Sequence, residues 1–387
     1  MARIWLTVTA VVIAALAAFY QFTIQPILLA TGVIGRVVES IGNTQCTGVP
    51  EFKACEKLIL HDGLLYLACS TPESRKHWTP SLWPLNVTGL STADYFATYN
   101  PSTKQITKLA FANFDDPRGY VSHGFDVVTS AADKNELFVY AVNHRPPVGA
   151  NALEVGADSV IEVFKMARGG SVLTHVKTYE DERIIEPNDV VGFGDGKSFY
   201  FTNDKGAKTG YTRELEWLGL KRSSIVYCHA DDGCKYALTG LPDTNGIARA
   251  PNDTYYVADA QFGGVRVLER QADNSLVLLD HIKTDRGIDN VAVDDNGAVW
   301  GSGFPKAFQF VHACAHPESG DRAPSSAIRI TLNQGEGAFF GEKYKVEKVF
   351  EDDGQIASCT TSAVHDAKRG LLYLSGLCSP QLTICKL

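Results

Sequence analysis

The chain has 387 residues, of which 45% are hydrophobic, 10% aromatic and 21% charged, and it carries a formal charge of −8 at pH 7. So acidic a chain lacks the basic face that neutralises phosphates, which excludes nucleic acid as a partner, and its apolar content excludes disorder. With 34 Gly, 16 Pro, only 2 Met and no heptad pattern, a helical bundle is excluded too, leaving one large β-rich domain or two ordinary ones.

Residues 4–20 are uncharged and apolar, and the next charge after Arg3 is Arg36. Two readings compete, a cleaved secretory signal ending near Ala17 and Ala18 or an uncleaved anchor. The uncharged run is long enough to span a bilayer, which favours the anchor. Residues 1–35 are therefore expected to form a signal anchor or transmembrane helix, with 36–387 beyond the membrane in the secretory pathway. Nine cysteines suit that compartment. None forms a C-x-x-C pair, so zinc ribbons and thioredoxin-type motifs are unsupported. Cys228 and Cys234 flank the turn Asp231-Asp232-Gly233 and suggest a local bridge, and the odd count leaves at least one thiol unpaired. Asn86-Val87-Thr88 and Asn252-Asp253-Thr254 are glycosylation sequons, making Asn86 and Asn252 candidate glycan sites.

From Glu56 onward a loose repeat appears, consisting of a polar residue, a short apolar strand, a turn and a returning strand rich in aromatic or β-branched residues. Copies start at Glu56, His123, Asn188, Asn245, Asp289 and Thr360, 44 to 71 residues apart. The first turns at Asp62-Gly63, and further hairpin-like pairs lie between copies. About four strands in each of six units predicts an all-β six-bladed propeller behind an N-terminal hydrophobic helix; two sandwiches with similar hairpins are the alternative. In a propeller the first strand of each blade lines the axis, so the polar starts converge at one end. Any one of them alone reads as a turn former.

Glu56, Asn188, Asn245, Asp289 and Asn290 then offer two carboxylates and three amides. Such all-oxygen donors suit Ca²⁺ and serve zinc or copper poorly. His123 lies in the same ring, and His144 ends the returning strand of its hairpin, so both are expected on one face, where a pair of imidazoles would draw a proton from water. No G-x-S-x-G, H-E-x-x-H, Walker or G-x-G-x-x-G motif is present. Residues 70–93, with Trp78 and Trp83, and 205–222, with Trp217, read as insertions over the mouth that set specificity or face a membrane.

Ser122-His123-Gly124, Val142-Asn143-His144, Pro187-Asn188-Asp189-Val190-Val191, Phe201-Thr202-Asn203-Asp204, Thr244-Asn245-Gly246-Ile247, Ile288-Asp289-Asn290-Val291 and the ending Cys385-Lys386-Leu387 together carry a resemblance. Over residues 46–387 the chain resembles the serum paraoxonase/arylesterase family, calcium-dependent six-bladed propellers that hydrolyse lactones and aryl esters. The resemblance implies that Glu56, Asn188, Asn245, Asp289 and Asn290 hold a catalytic calcium, that His123 is the general base and that His144 is its partner. It also implies a Cys46–Cys385 disulfide, and Asp189 and the Phe125 carbonyl beside a second, structural calcium. The family's acidic pair in the first blade falls on Glu56-Lys57 when a one-residue gap is placed before Leu60, and on Cys55-Glu56 without it; the gapped alignment is preferred because it leaves a carboxylate in the catalytic ring. The lysine is expected either to take the second ion's place and pair with Asp189, or to reach solvent. The expected partners are a small lactone or ester and, through the N-terminus, a membrane. A non-hydrolytic propeller enzyme resembling strictosidine synthases is the alternative.

Overall fold

The computed structural model describes residues 2–387. Six antiparallel sheets stand around one axis, making a six-bladed β-propeller. The inner strands are Cys55–His61, Ser122–Thr129, Pro187–Gly192, Thr244–Arg249, Ile288–Val293 and Ser362–Asp366, in blades one to six. Each is followed outward by its own hairpin partners, and blade two gains an outer parallel strand, Ala110–Ala112. Blade six is completed from the other end of the chain, where Cys46–Val49 pairs with Leu382–Lys386 and places Cys46 opposite Cys385. These two cysteines form the disulfide that closes the ring.

The hairpins follow from turn chemistry. Asp62 and Gly63 both adopt positive φ, +52° and +76°, the backbone of a two-residue turn whose twist matches its flanking strands. The core is distributed between neighbouring blades rather than concentrated at a centre. Val190, Phe199 and Phe201 of blade three, for example, are buried against Tyr140, Val142 and Ile161 of blade two. Burying each such side chain contributes about 1.5–3 kcal/mol. Cys55–Cys69 ties the two inner strands of blade one, Cys228–Cys234 spans the turn expected of it, and Cys314–Cys378 fixes the helix Ala307–Ala315. Cys359 is the one free thiol among the described residues, and it is buried.

The five inner strands of blades one to five share one irregularity. Each slips register by a residue near its start, between Cys55 and Lys57, Ser122 and Phe125, Pro187 and Val190, Thr244 and Ile247, and Ile288 and Val291. These β-bulges re-aim side chains at the strand end, and they fall on Glu56, His123, Asn188, Asn245 and Asp289. Blade six pairs from Ser362 without a slip.

N-terminal to the propeller, Arg3–Ala30 is a helical run long and apolar enough to cross a membrane, and no part of its most apolar stretch is buried. A π-helical turn, Tyr20–Ile24, interrupts it. Its end is docked on the propeller, since Gly287 N donates to Ala30 O at 3.1 Å and Ala307 N to Thr31 O at 3.0 Å.

Candidate active site at one mouth of the axial channel

Glu56, His123, Asn188, Asn245 and Asp289 line one cavity of about 110 Å³. From blade six it is Thr361 that joins them; Thr360 is turned to Ser302 Oγ at 3.2 Å. Inner strands this close leave no room for side chains at some positions. A Cβ on Gly124 would lie 2.4 Å from Asn188 O, and one on Gly246 would lie 2.6 Å from Asn290 Cα. The glycines after His123 and Asn245 are thus what lets neighbouring blades meet.

The oxygens of this ring are under-committed. Glu56 Oε2, Asn188 Oδ1 and Asn245 Oδ1 are buried without a hydrogen-bond partner among the described residues. Buried polar atoms are normally paired, so three facing one cavity call for a ligand. Burial pushes the Glu56 carboxyl up, against the pull of Lys57, and burial together with Glu56 pushes Asp289 well above the carboxylate range. A cation would reverse both penalties. Hard, all-oxygen donors of mixed charge fit Ca²⁺. Among the described residues no three His, Cys, Asp or Glu side chains gather into a metal cluster, so amides have to supply part of any such shell.

Asn290 is placed differently. Its Nδ2 donates to Glu56 Oε1 at 2.6 Å and to Asp289 Oδ1 at 3.2 Å, while its Oδ1 accepts from Lys57 Nζ at 3.2 Å. It braces the two carboxylates with its amide nitrogen. Asp189 lies one layer below, taking Lys57 Nζ at 2.5 Å and Ile247 N at 2.8 Å on Oδ2. Lys57 is buried in this contact and does not reach solvent. The Phe125 ring is buried between blades one and two.

His123 and His144 meet edge to face with ring centroids 5.0 Å apart. His144 Nδ1 is 2.8 Å from Ser159 Oγ, and His123 Nε2 is 3.4 Å from Asn188 Nδ2. His123 Nδ1 and His144 Nε2 have no hydrogen-bond partner among the described residues. Burial, with Arg75 and Lys57 adding, holds His123 down at about 3, and burial followed by His123 holds His144 well below the usual imidazole range. Both rings are therefore neutral and basic in form at pH 7.

Several supporting residues carry no sequence signal of their own. Arg75 donates from Nη1 to Ser122 O at 2.6 Å and from Nη2 to Ser122 Oγ at 2.9 Å, and Asp94 Oδ2 accepts from Ser122 N at 2.8 Å. This clamp fixes the residue before His123. Trp78 Nε1 donates to His144 O at 2.8 Å. The insertion at 70–93 is thus partly a brace for the imidazoles. Its Trp83 stacks on Trp217 of the second insertion at 4.6 Å, and that insertion holds the short helix Tyr211–Glu216. Trp217, Leu82, Phe304 and Phe310 wall the cavity, with Ile27 and Thr31 from the N-terminal segment and a buried cation, Lys205. Asn86 caps the short 3-10 helix Val87–Gly89 and Asn252 sits in a turn, both exposed.

The fold and site define a six-bladed propeller with a polar axial floor under an apolar mouth. The arylesterase family model matches residues 100–387, and the chain belongs to the arylesterase family. It is 29% identical over 260 residues to serum paraoxonase/arylesterase 2 of Gallus gallus, covering 64% of this chain and 67% of that protein. To serum paraoxonase/arylesterase 1 of Rattus norvegicus it is 27% identical over 287 residues, covering 72% and 74%. A solved gluconolactonase from Xanthomonas campestris superposes with a TM-score of 0.50 at 15% identity, covering 91% of this chain and 94% of that one, a likeness of fold.

Proposed function

We propose that the protein is a calcium-dependent hydrolase of lactones and aryl esters. The observation that carries this reading is the trio of buried, partnerless oxygens on Glu56, Asn188 and Asn245, which share one cavity with Asp289 and His123. Glu56, Asn188, Asn245 and Asp289 would hold the ion, with Asn290 fixing the two carboxylates. Bound there, calcium supplies a Lewis acid for the ester carbonyl and the oxyanion that develops from it. The neutral His123 ring accepts a proton from the attacking water, and His144, anchored by Ser159, orients that ring and shares the charge it gains. The apolar walls exclude bulk water and seat the rest of the ester. Four disulfides and the apolar N-terminal helix support a place in the secretory pathway, held at a membrane by residues 1–35, with glycans on Asn86 and Asn252.

The test is hydrolysis of a lactone and aryl-ester panel with and without calcium. Asp289→Ala or Asn245→Ala is expected to abolish both hydrolysis and the stabilisation against heat that calcium confers. Full activity in excess EDTA would refute the proposal.

A further inference from the structure

Directly beneath the ring lies a second tier, made by the residue that follows each ring member in its strand: Lys57, Gly124, Asp189, Gly246 and Asn290. The two glycines are places where adjacent strands touch. The other three residues meet. Lys57 Nζ is 2.5 Å from Asp189 Oδ2 and 3.2 Å from Asn290 Oδ1, and none of the three residues is more than 2% exposed. The strand of blade one thus places an ammonium between oxygens from blades three and five. The same lysine borders the cavity at the opposite mouth of the channel, together with Asp126 and Asp294, whereas its neighbour Glu56 borders the proposed site. Lys57 therefore stands between the two cavities.

The family resemblance implies a second, structural calcium beside Asp189. The residues present do not fit one. Asp189 Oδ2 is already taken by Lys57 Nζ and Ile247 N, and although Oδ1 is buried without a partner among the described residues, a divalent ion bound to it would be pressed against the Lys57 ammonium in a low-dielectric interior, where like charges repel strongly. The pairing position that would need a carboxylate carries its opposite.

We propose that Lys57 is a built-in cation that replaces a second metal ion. It neutralises Asp189, separates the two cavities of the channel and, through Asn290, holds Glu56 in the ring above. Because the charge is tethered to the backbone, chelators cannot withdraw it. This rests on the reading of the upper ring as a single calcium site.

The experiment is calcium content per chain, measured by elemental and native mass spectrometry on the full-length protein equilibrated with trace calcium. The wild type is expected to hold one ion. Lys57→Asp, which puts a carboxylate where the ammonium stood, is expected to hold two. Lys57→Met strands Asp189 in the interior and should unfold at markedly lower denaturant, whereas the double variant Lys57→Met/Asp189→Asn should regain cooperative unfolding and keep one ion. Two ions in the wild type, a folded Lys57→Asp protein that holds one, or loss of an ion on adding Asp189→Asn would overturn the proposal. A wild type that binds no calcium would instead overturn the reading of the ring on which it rests.

Discussion

Gly124→Ala isolates the contribution of inter-blade contact to the site. An added methyl at residue 124 would meet Asn188 O at 2.4 Å, and Asp189 Cα and Oδ1 at 2.5 Å. Ordinary contact begins near 3.4 Å, so the inner strand of blade three must withdraw by about 1 Å, a displacement able to cost about 10²-fold in rate. The strand is anchored in the core between blades two and three through Val190, and forcing it outward costs about 1–3 kcal/mol. The strand that moves delivers Asn188 Oδ1 to the cavity. The expected outcome is a folded protein whose kcat/KM on aryl esters falls about 10²-fold while urea unfolding shows the smaller stability loss. Gly335→Ala is the control. Among the described residues its Cβ meets only Asn333 Oδ1, at 3.4 Å, so stability should stay within about 0.5 kcal/mol and kcat/KM should not move. Unchanged kcat/KM in Gly124→Ala would refute the argument that blade contact sets the position of Asn188.

Other perturbations have equally definite outcomes. Arg75→Ala leaves Asp94 buried beside Ser122 without its cation, so denaturant unfolding should show a loss of about 3 kcal/mol or more; Arg75→Lys should not restore kcat, because one ammonium cannot reproduce the fork onto Ser122 O and Oγ. Ile27→Trp thickens the cavity wall contributed by the N-terminal segment, and should raise KM for bulky esters about tenfold while calcium-dependent stabilisation is unchanged. Burial, then the charge of Asp204, pushes Glu186 up from 4.5 to about 8. The folded chain therefore holds a proton there that the unfolded chain has released, and this contribution to stability is lost as pH rises from about 4.5 through about 8. Glu186→Gln should flatten that part of the pH–stability profile measured in urea, and an unaltered profile would contradict the assignment.

The fold was legible because hairpin turns and polar strand starts recur along the chain, and five of the six starts fall on the cavity itself. The sixth was displaced by one residue, to Thr361, because blade six lacks the register slip shared by the other inner strands. Those slips are what turn a strand's first polar residue into a cavity residue, and backbone pairing of this kind leaves no mark in residue type beyond the glycines at 124 and 246. The bridge between Cys228 and Cys234 was readable from its own turn. Cys55–Cys69 and Cys314–Cys378 depend on strand and helix placement that spacing does not encode. Arg75 carries no such signal, because its partner, Ser122, lies 47 residues away in the chain. Ile27 and Thr31 read as part of an apolar anchor, and only the docking of Ala30 and Thr31 on Gly287 and Ala307 makes them cavity wall.

Whether the ring holds a cation can be read from anomalous diffraction by crystals of the protein soaked in a lanthanide that substitutes for calcium. One strong peak is expected within coordination distance of Glu56 Oε2, Asn188 Oδ1, Asn245 Oδ1 and the Asp289 carboxylate, and none beside Asp189. Empty density at that point, with the metal bound only elsewhere, would contradict a cation site in the ring.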